Sequence, residues 1–150
     1  YYHWLFLAQP SPLPETLIGH DPLSYFEGIL TGIGGGTARF DPEAMAAYRT
    51  AWRDPEVVRC MCDDYRAAID VDLALDTADL HRRVAAPALV LYGADGIMAR
   101  HFDVPATWND RLSDMQSAAL PGGHFFPDTH PEETVAALHR FLSAQPQIAP

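Results

Sequence analysis

The segment LPGGHFFPDTHPEET, residues 120–134, contains the side chain of this sequence that is best placed for chemistry. Residues 115–120 are predicted to form a short strand, and the Pro-Gly-Gly turn at 121–123 lifts the next side chain, His124, clear of it. In open parallel sheets, reacting groups collect on the loops that follow the strands. A neutral imidazole there can accept a proton from water near neutral pH. The sequence therefore predicts His124 as a general base, and an exposed loop histidine is the alternative.

The sequence does not supply a nucleophile for that base. A catalytic histidine of this kind serves a nucleophile and is usually oriented by a carboxylate. No segment matches strand–G-x-[S/D/C]-x-G–helix, the tight turn that presents such a nucleophile. The chain also starts at Tyr1 without an initiator Met. We therefore expect it to be the C-terminal half of a larger enzyme and to be inactive alone.

Charge and hydropathy limit the partners of the chain. Its 150 residues include 20 acidic and 10 basic side chains, and every base is an arginine. A net charge of −10 repels nucleic acids and anionic lipids, so neither is expected as a partner. No apolar run approaches the roughly 20 residues that a membrane span needs. We expect a cytoplasmic protein that acts on a small molecule.

Neither a cofactor nor a metal is expected. Cys60 and Cys62 lie two apart on a predicted helix and do not face each other, so they are predicted to be reduced, buried thiols. Four side chains of metal-binding types lie close together in sequence: His124, Asp128, His130 and Glu132. They straddle a loop and a helix start, which does not match the spacing of a metal motif.

The pattern of the chain changes near residue 80. Before that point it predicts helices, several of which begin at an Asp-Pro pair with the aspartate as N-cap. The predicted helices are 2–9, 22–31, 42–53, 55–69 and 77–83. Residues 10–15 (PSPLPE) are predicted to be a proline-stiffened link and 32–38 (GIGGGTA) a flexible loop.

After residue 80 the pattern predicts a β-α-β-α series, which indicates an α/β fold class. The continuous apolar run 88–93 (ALVLYG) is typical of a strand buried on both faces. Residues 104–113 predict a helix and 115–120 a second strand. The helix predicted at 131–143 begins after a capping box formed by Thr129 and Glu132.

Three stretches of the sequence resemble the haloacetate (fluoroacetate) dehalogenases, a family of α/β-hydrolases. They are YYHWLFLAQPSPLPETLIGHDP (1–22), CDDYRAAIDVDLALD (62–76) and LPGGHFFPD (120–128). The first is specific, because few other α/β-hydrolases carry a His-Trp pair just before F-L-x-Q-P. The resemblance implies a partial α/β-hydrolase fold. Residues 1–79 would be its helical cap domain and 80–150 the last two βα units of its core.

The resemblance also implies a reaction, the hydrolysis of fluoroacetate or chloroacetate to glycolate and halide. An aspartate outside this sequence would form an ester with the substrate, and His124 would activate the water that hydrolyses it. His3, Trp4 and Tyr65 match the residues that bind the halide, and their ring N–H and O–H groups are hydrogen-bond donors. The alternative for Trp4 and Tyr65 is packing between cap and core. Relatives often pair through cap surfaces, so a homodimer is expected.

Asp95, in LYGADGIM, is a further candidate for the acid that orients His124. Many α/β-hydrolases place this acid three residues beyond the strand's glycine. Asp95 lies only two beyond Gly93, and in the haloacetate dehalogenases the acid comes from the preceding strand. The alternative is a turn aspartate that bonds its own backbone. For Arg66, a salt bridge with Asp63 or Asp70 is favoured over a substrate carboxylate.

Two other functions remain open from the sequence. One is a related aspartate-nucleophile hydrolase, such as an epoxide hydrolase or haloalkane dehalogenase. Epoxide hydrolases generally activate the ring oxygen with two cap tyrosines, and Tyr65 could be one of them. The other is a non-catalytic gene fragment, which the missing nucleophile motif favours.

Overall fold

The chain folds into two compact units. The computed structural model describes residues 2–145; Tyr1 and residues 146–150, at the ends of the two predicted domains, lie outside the described part. One unit comprises residues up to Gly32 together with Gly36–His81, and the other comprises Ile33–Gly35 together with residues from Arg82 onward. The roles of cap and hydrolase core are still predictions.

The first unit is made of helices and turns. Its helices are α1 (Tyr2–Leu7), α2 (Leu13–His20), α3 (Pro22–Gly34, whose last two residues belong to the second unit), α4 (Pro42–Ala51), α5 (Pro55–Ala67) and α6 (Leu73–Ala78). A wide π-type turn, Ala68–Asp72, joins α5 to α6 without a break in the helical run. The buried core includes Ile18, Phe26, Trp52 and Cys62, and the rings of Phe26 and Trp52 stack at 5.2 Å.

The predicted Asp-Pro helix starts are confirmed. Asp41 accepts hydrogen bonds from two amides of the first turn of α4, and Asp54 accepts one from Glu56 at the start of α5. Asp21 accepts from the amide of Ser24 at the start of α3. In each case the proline lies in the first helical turn, where a backbone N–H would have no acceptor within the helix. The N–H that proline lacks is therefore not needed.

Three predictions for this unit, the link 10–15, the loop 32–38 and the helix 77–83, differ from the structure. Helix α2 begins inside the predicted link 10–15, because Pro14 lies in the first turn, where a missing N–H does no harm. Helix α3 continues to Gly34, and residues 37–39 form a 3-10 turn, so the segment 32–38 is not simply a flexible loop. The helix expected at 77–83 lies earlier, as α6. Its leucines are exposed and give no one-sided apolar pattern to detect.

The second unit pairs two parallel strands with helices. Its elements are β1 (Ala88–Gly93), α7 (Ile97–His101), α8 (Val104–Trp108), β2 (Met115–Leu120), α9 (Phe126–Thr129) and α10 (Pro131–Ser143). The register runs from Ala88 opposite Met115 to Gly93 opposite Leu120. Both strands lie where the sequence predicts them, and the α/β class is confirmed.

Some details of the second unit differ from prediction. Residues 88–92 of β1 are half-buried rather than buried on both faces, because within residues 2–145 β2 is the only strand paired with β1. The predicted helix 104–113 ends at Trp108, because the chain turns there so that Leu112 can form a parallel bridge with Val84.

The predicted capping box before α10 is also wrong. His130 precedes the helix and makes no side-chain cap bond. The Thr129 hydroxyl donates instead to the carbonyl of Phe125, 3.1 Å away, within the preceding short helix.

Cys60 and Cys62 are free, and Cys62 is fully buried. The expectation that both thiols are buried is wrong for Cys60, which is exposed beside Glu56 and Arg59 on α5. Among the helices of residues 2–145, none combines the length and the apolar character required to cross a bilayer.

Candidate active site

His124 lies on the loop that follows β2, as the sequence predicts. The turn before it requires glycine at residue 122, whose φ is +94°. A Cβ on Gly122 would lie 2.5 Å from Nδ1 of His130, so a larger residue would also have to displace that ring. The His124 ring is exposed within the described chain and meets the ring of Phe125 edge-on, with 4.9 Å between centroids. Its role as a base is still a prediction.

The loop of His124 is joined to the loop after β1 by main-chain contacts. The amide of Ala94 donates to the carbonyl of Leu120 at 2.8 Å, which extends the strand pairing by one bond. At Gly93 the two backbones come so close that a Cβ would lie 2.1 Å from the carbonyl oxygen of Gly123. The two loops therefore meet along one edge of the sheet.

Asp95 lies at this edge and bonds the loop of His124. Its Oδ2 accepts a hydrogen bond from the amide of Gly122 at 3.2 Å. Its own amide donates to the carbonyl of Gly122 at 2.9 Å. Asp95 is therefore more than a turn aspartate bonding its own backbone, because its carboxylate reaches across to another loop.

His3, Trp4 and Tyr65 are brought together in the first unit. His3 is buried, with 6% of its surface exposed, and belongs to α1. Its ring meets the ring of Tyr65 at 6.2 Å and that of Trp4 at 6.4 Å, both nearly perpendicular. Trp4 is 48% exposed and Tyr65 is half-buried. Three rings that carry hydrogen-bond donors thus form one cluster on α1 and α5.

Tyr65 keeps its proton in this environment. Burial raises the pKa of its phenol, and the negative charge of Asp64 raises it further. A phenol with a raised pKa stays protonated at physiological pH and can therefore donate a hydrogen bond. This state suits the predicted role of binding a departing anion.

Arg66, next to Tyr65, holds α5 to the segment that follows α1. Its Nε donates to the carbonyl of Gln9 at 2.9 Å, and its Nη1 donates to Asp63 at 2.8 Å. Its Nη2 lies 2.8 Å from Oε1 of Glu15, and both side chains of this ion pair are 15% exposed. The favoured partner Asp63 is confirmed. Gln9 and Glu15 were missed, because nothing local in the sequence connects them to Arg66.

Tyr25 is another residue that the sequence did not single out. It lies on α3, with its ring 5.6 Å from Phe6 and 5.1 Å from Phe26. Its hydroxyl is buried and has no hydrogen-bond partner among residues 2–145. Burial raises the pKa of this phenol, and Tyr2, Cys62 and Tyr65 raise it further. A tyrosine on the apolar face of a predicted helix was the signal available.

Among residues 2–145, no group of three or more His, Cys, Asp or Glu side chains is close enough to hold a metal ion. The four side chains weighed as ligands on the sequence, His124, Asp128, His130 and Glu132, form no such group.

Known proteins are similar to this chain in sequence and in fold. The chain is 48% identical to a fluoroacetate dehalogenase from a Burkholderia species over 144 aligned residues. The alignment covers 95% of this chain and 47% of that enzyme. No protein-family model matches the chain.

Solved structures agree with this match. A candidate α/β hydrolase from Nostoc sp PCC 7120 superposes with a TM-score of 0.92 at 44% identity, covering 97% of this chain and 50% of that one. A candidate epoxide hydrolase from Pseudomonas aeruginosa superposes with a TM-score of 0.85 at 36% identity, covering 95% of this chain and 48% of its own.

The chain spans about half the length of the relatives it matches. The predicted resemblance is confirmed. Over about half of their length, the chain is similar in sequence to a fluoroacetate dehalogenase and in sequence and fold to a candidate α/β hydrolase.

Proposed function

We propose that this chain supplies the halide-binding donors and the water-activating base of a haloacetate dehalogenase. The observation that carries the proposal is the cluster in which His3 meets both Trp4 and Tyr65. Sequence identity of 48% to a fluoroacetate dehalogenase supports the same assignment. The substrate would be a small 2-haloacid such as fluoroacetate or chloroacetate.

The proposed reaction has two steps. An aspartate from outside this sequence attacks the halogen-bearing carbon, so that a C–O bond forms as the carbon–halogen bond breaks. His124 then takes a proton from water, whose oxygen attacks the ester carbonyl and releases glycolate. The second step needs a neutral imidazole within reach of water, and the exposed loop position of His124 allows that access.

The donor cluster would lower the barrier of the first step. Fluoride is a poor leaving group, so its developing charge must be stabilised in the transition state. The indole N–H of Trp4, the phenol of Tyr65 and the imidazole of His3 are suitable donors. In a dry site, losing one such donor typically removes about 3 kcal/mol of transition-state stabilisation, or roughly a hundredfold in rate.

The test is a chimera that joins this chain to the part of the Burkholderia enzyme that it does not match. We expect halide release from fluoroacetate and chloroacetate, whereas the chain alone should release none. His124→Ala should lower the rate by about 10²–10⁴-fold, because a positioned base contributes that much. Trp4→Phe and Tyr65→Phe should each lower it by about a hundredfold.

The matched control is His139→Ala, an exposed histidine on α10 in the same unit as His124. It should leave halide release unchanged. A folded chimera that releases no halide would contradict the proposal, as would release that survives His124→Ala.

The second candidate function is epoxide hydrolysis. The Pseudomonas relative is a candidate epoxide hydrolase, and Tyr25 provides a second tyrosine in the helical unit, with a buried hydroxyl that has no hydrogen-bond partner among residues 2–145. This candidate leaves His3 and Trp4 without a role. If the chimera turned over styrene oxide faster than haloacetates, epoxide hydrolysis would replace dehalogenation as the proposed function.

A further inference from the structure

We propose that Asp95 is a positioning residue, which sets the direction of His124 by holding the main chain of Gly122. This inference rests on the proposed function for the role of His124. It differs from both sequence-based interpretations of Asp95, because the carboxylate acts here as an acceptor for a backbone amide. It does not require Asp95 to orient the imidazole directly.

The first support is that Asp95 bonds both polar groups of one residue. The amide of Gly122 donates to Oδ2 of Asp95 at 3.2 Å, and the carbonyl of Gly122 accepts from the amide of Asp95 at 2.9 Å. Gly122 lies two positions before His124. The two bonds hold the peptide groups on either side of Gly122, and the second of these leads through Gly123 to His124.

The second support is that this turn has little freedom to adopt another shape. Gly122 has φ +94°, a conformation that other residues rarely adopt. The ring of His130 packs against Gly122, and the carbonyl of Gly123 packs against Gly93. These contacts limit how far the turn can move on either side. Among these contacts, the Asp95 carboxylate is the side chain that accepts a hydrogen bond from the main chain of Gly122.

The third support is chemical. Holding an amide requires an acceptor oxygen, which asparagine also has, whereas stabilising an imidazolium requires a negative charge. Asp95→Asn therefore separates the two roles. If Asp95 positions the loop, Asp95→Asn should keep both the Gly122 hydrogen bond and kcat. If Asp95 is the acid of a triad, Asp95→Asn should lower kcat as much as Asp95→Leu does.

The first arm of the test does not depend on activity. In the 150-residue chain, NMR follows amide hydrogen exchange at Gly122 and the ring signals of His124. Asp95→Leu should speed exchange of the Gly122 amide by about tenfold or more, because its acceptor is lost. Asp95→Asn should change it by less than about threefold. If Asp95→Leu does not fold, Asp95→Ala removes the same acceptor with a smaller side chain.

The matched control is Asp103, which accepts from the amide of Ala106 at 3.1 Å and belongs to the same unit. Asp103→Leu should leave the Gly122 amide and the His124 signals unchanged. Positioning by Asp95 is refuted if the Gly122 amide exchanges equally in wild type and Asp95→Leu. It is also refuted if Asp95→Asn exchanges as fast as Asp95→Leu.

The second arm uses the chimera and its rate of halide release. Asp95→Asn should keep kcat within about threefold and leave the shape of its pH profile intact, whereas Asp95→Leu should lower kcat by about thirtyfold or more with little change in KM. A kcat that falls equally in both variants would assign Asp95 as the triad acid instead. An inactive wild-type chimera would refute the proposed function, and the exchange experiment would still decide the role of Asp95.

Discussion

The two units of this chain hold their candidate chemical groups in different ways. In the first, the ring of His3 lies edge-on to the rings of Trp4 and Tyr65. In the second, the turn before His124 is hydrogen-bonded to Asp95 and lies close to the backbone of Gly93 and the ring of His130. The donor cluster can therefore be changed one side chain at a time, whereas a side chain added at Gly93 would overlap the backbone of Gly123.

The largest effect on stability should come from adding one methyl group at Gly93, where two backbone segments are in close contact. In Gly93→Ala the new Cβ would overlap the carbonyl oxygen of Gly123, so the two loops must separate. We expect a loss of roughly 3 kcal/mol in the free energy of unfolding, measured with urea.

Gly28→Ala is the matched control in the first unit. Gly28 lies inside α3, and its added Cβ would meet nothing within 4 Å. Alanine in a helix interior should stabilise by about 0.5–1 kcal/mol, so the same substitution should have opposite signs in the two units. Equal effects at Gly28 and Gly93 would contradict the contrast drawn between the units.

A smaller effect is expected from the ion pair that joins α2 to α5. A double-mutant cycle with Arg66→Ala and Glu15→Gln should give a coupling energy of about 1–2 kcal/mol, because both side chains are largely shielded from water. The control pair, Arg59 with Asp63, lies on the exposed face of α5. It should couple more weakly and lose more of its coupling when salt is added. Equal couplings would show that burial of the Arg66 pair adds nothing.

The smallest effect on stability at neutral pH should come from Tyr25→Phe. The buried hydroxyl has no partner among residues 2–145, so its removal should change stability at neutral pH by less than about 1 kcal/mol. The pH dependence is more telling. Because burial raises the pKa of Tyr25 in the folded state, the unfolded chain releases this proton first, and stability should fall as pH rises above about 10. Urea unfolding at pH 7 and pH 10.5 should show a smaller alkaline loss in Tyr25→Phe, and an unchanged loss would contradict the burial of this phenol.

Much of the local structure could be predicted from the sequence. The aspartate caps at Asp41 and Asp54 and both strands follow from patterns within about ten residues, and those patterns were sufficient. The α2 helix was missed because its prolines indicate a link unless their position in the first helical turn is known.

The contacts that hold the candidate site could not be predicted in the same way. Arg66 bonds Gln9 across 57 residues, and Gly122 bonds Asp95 across 27. Spacing contains no signal for such pairs, because they depend on how separate elements pack. The donor residues His3, Trp4 and Tyr65 came from resemblance to a family, and the residues that support them came from the structure.

The contrast between Cys60 and Cys62 gives the helical unit a built-in chemical reporter. The two thiols share α5, yet one is open to solvent and the other is sealed in the core. An alkylating reagent should therefore modify Cys60 at once and reach Cys62 only when the helices around it part. The difference between the two modification rates would measure how often this unit opens, without any engineered label.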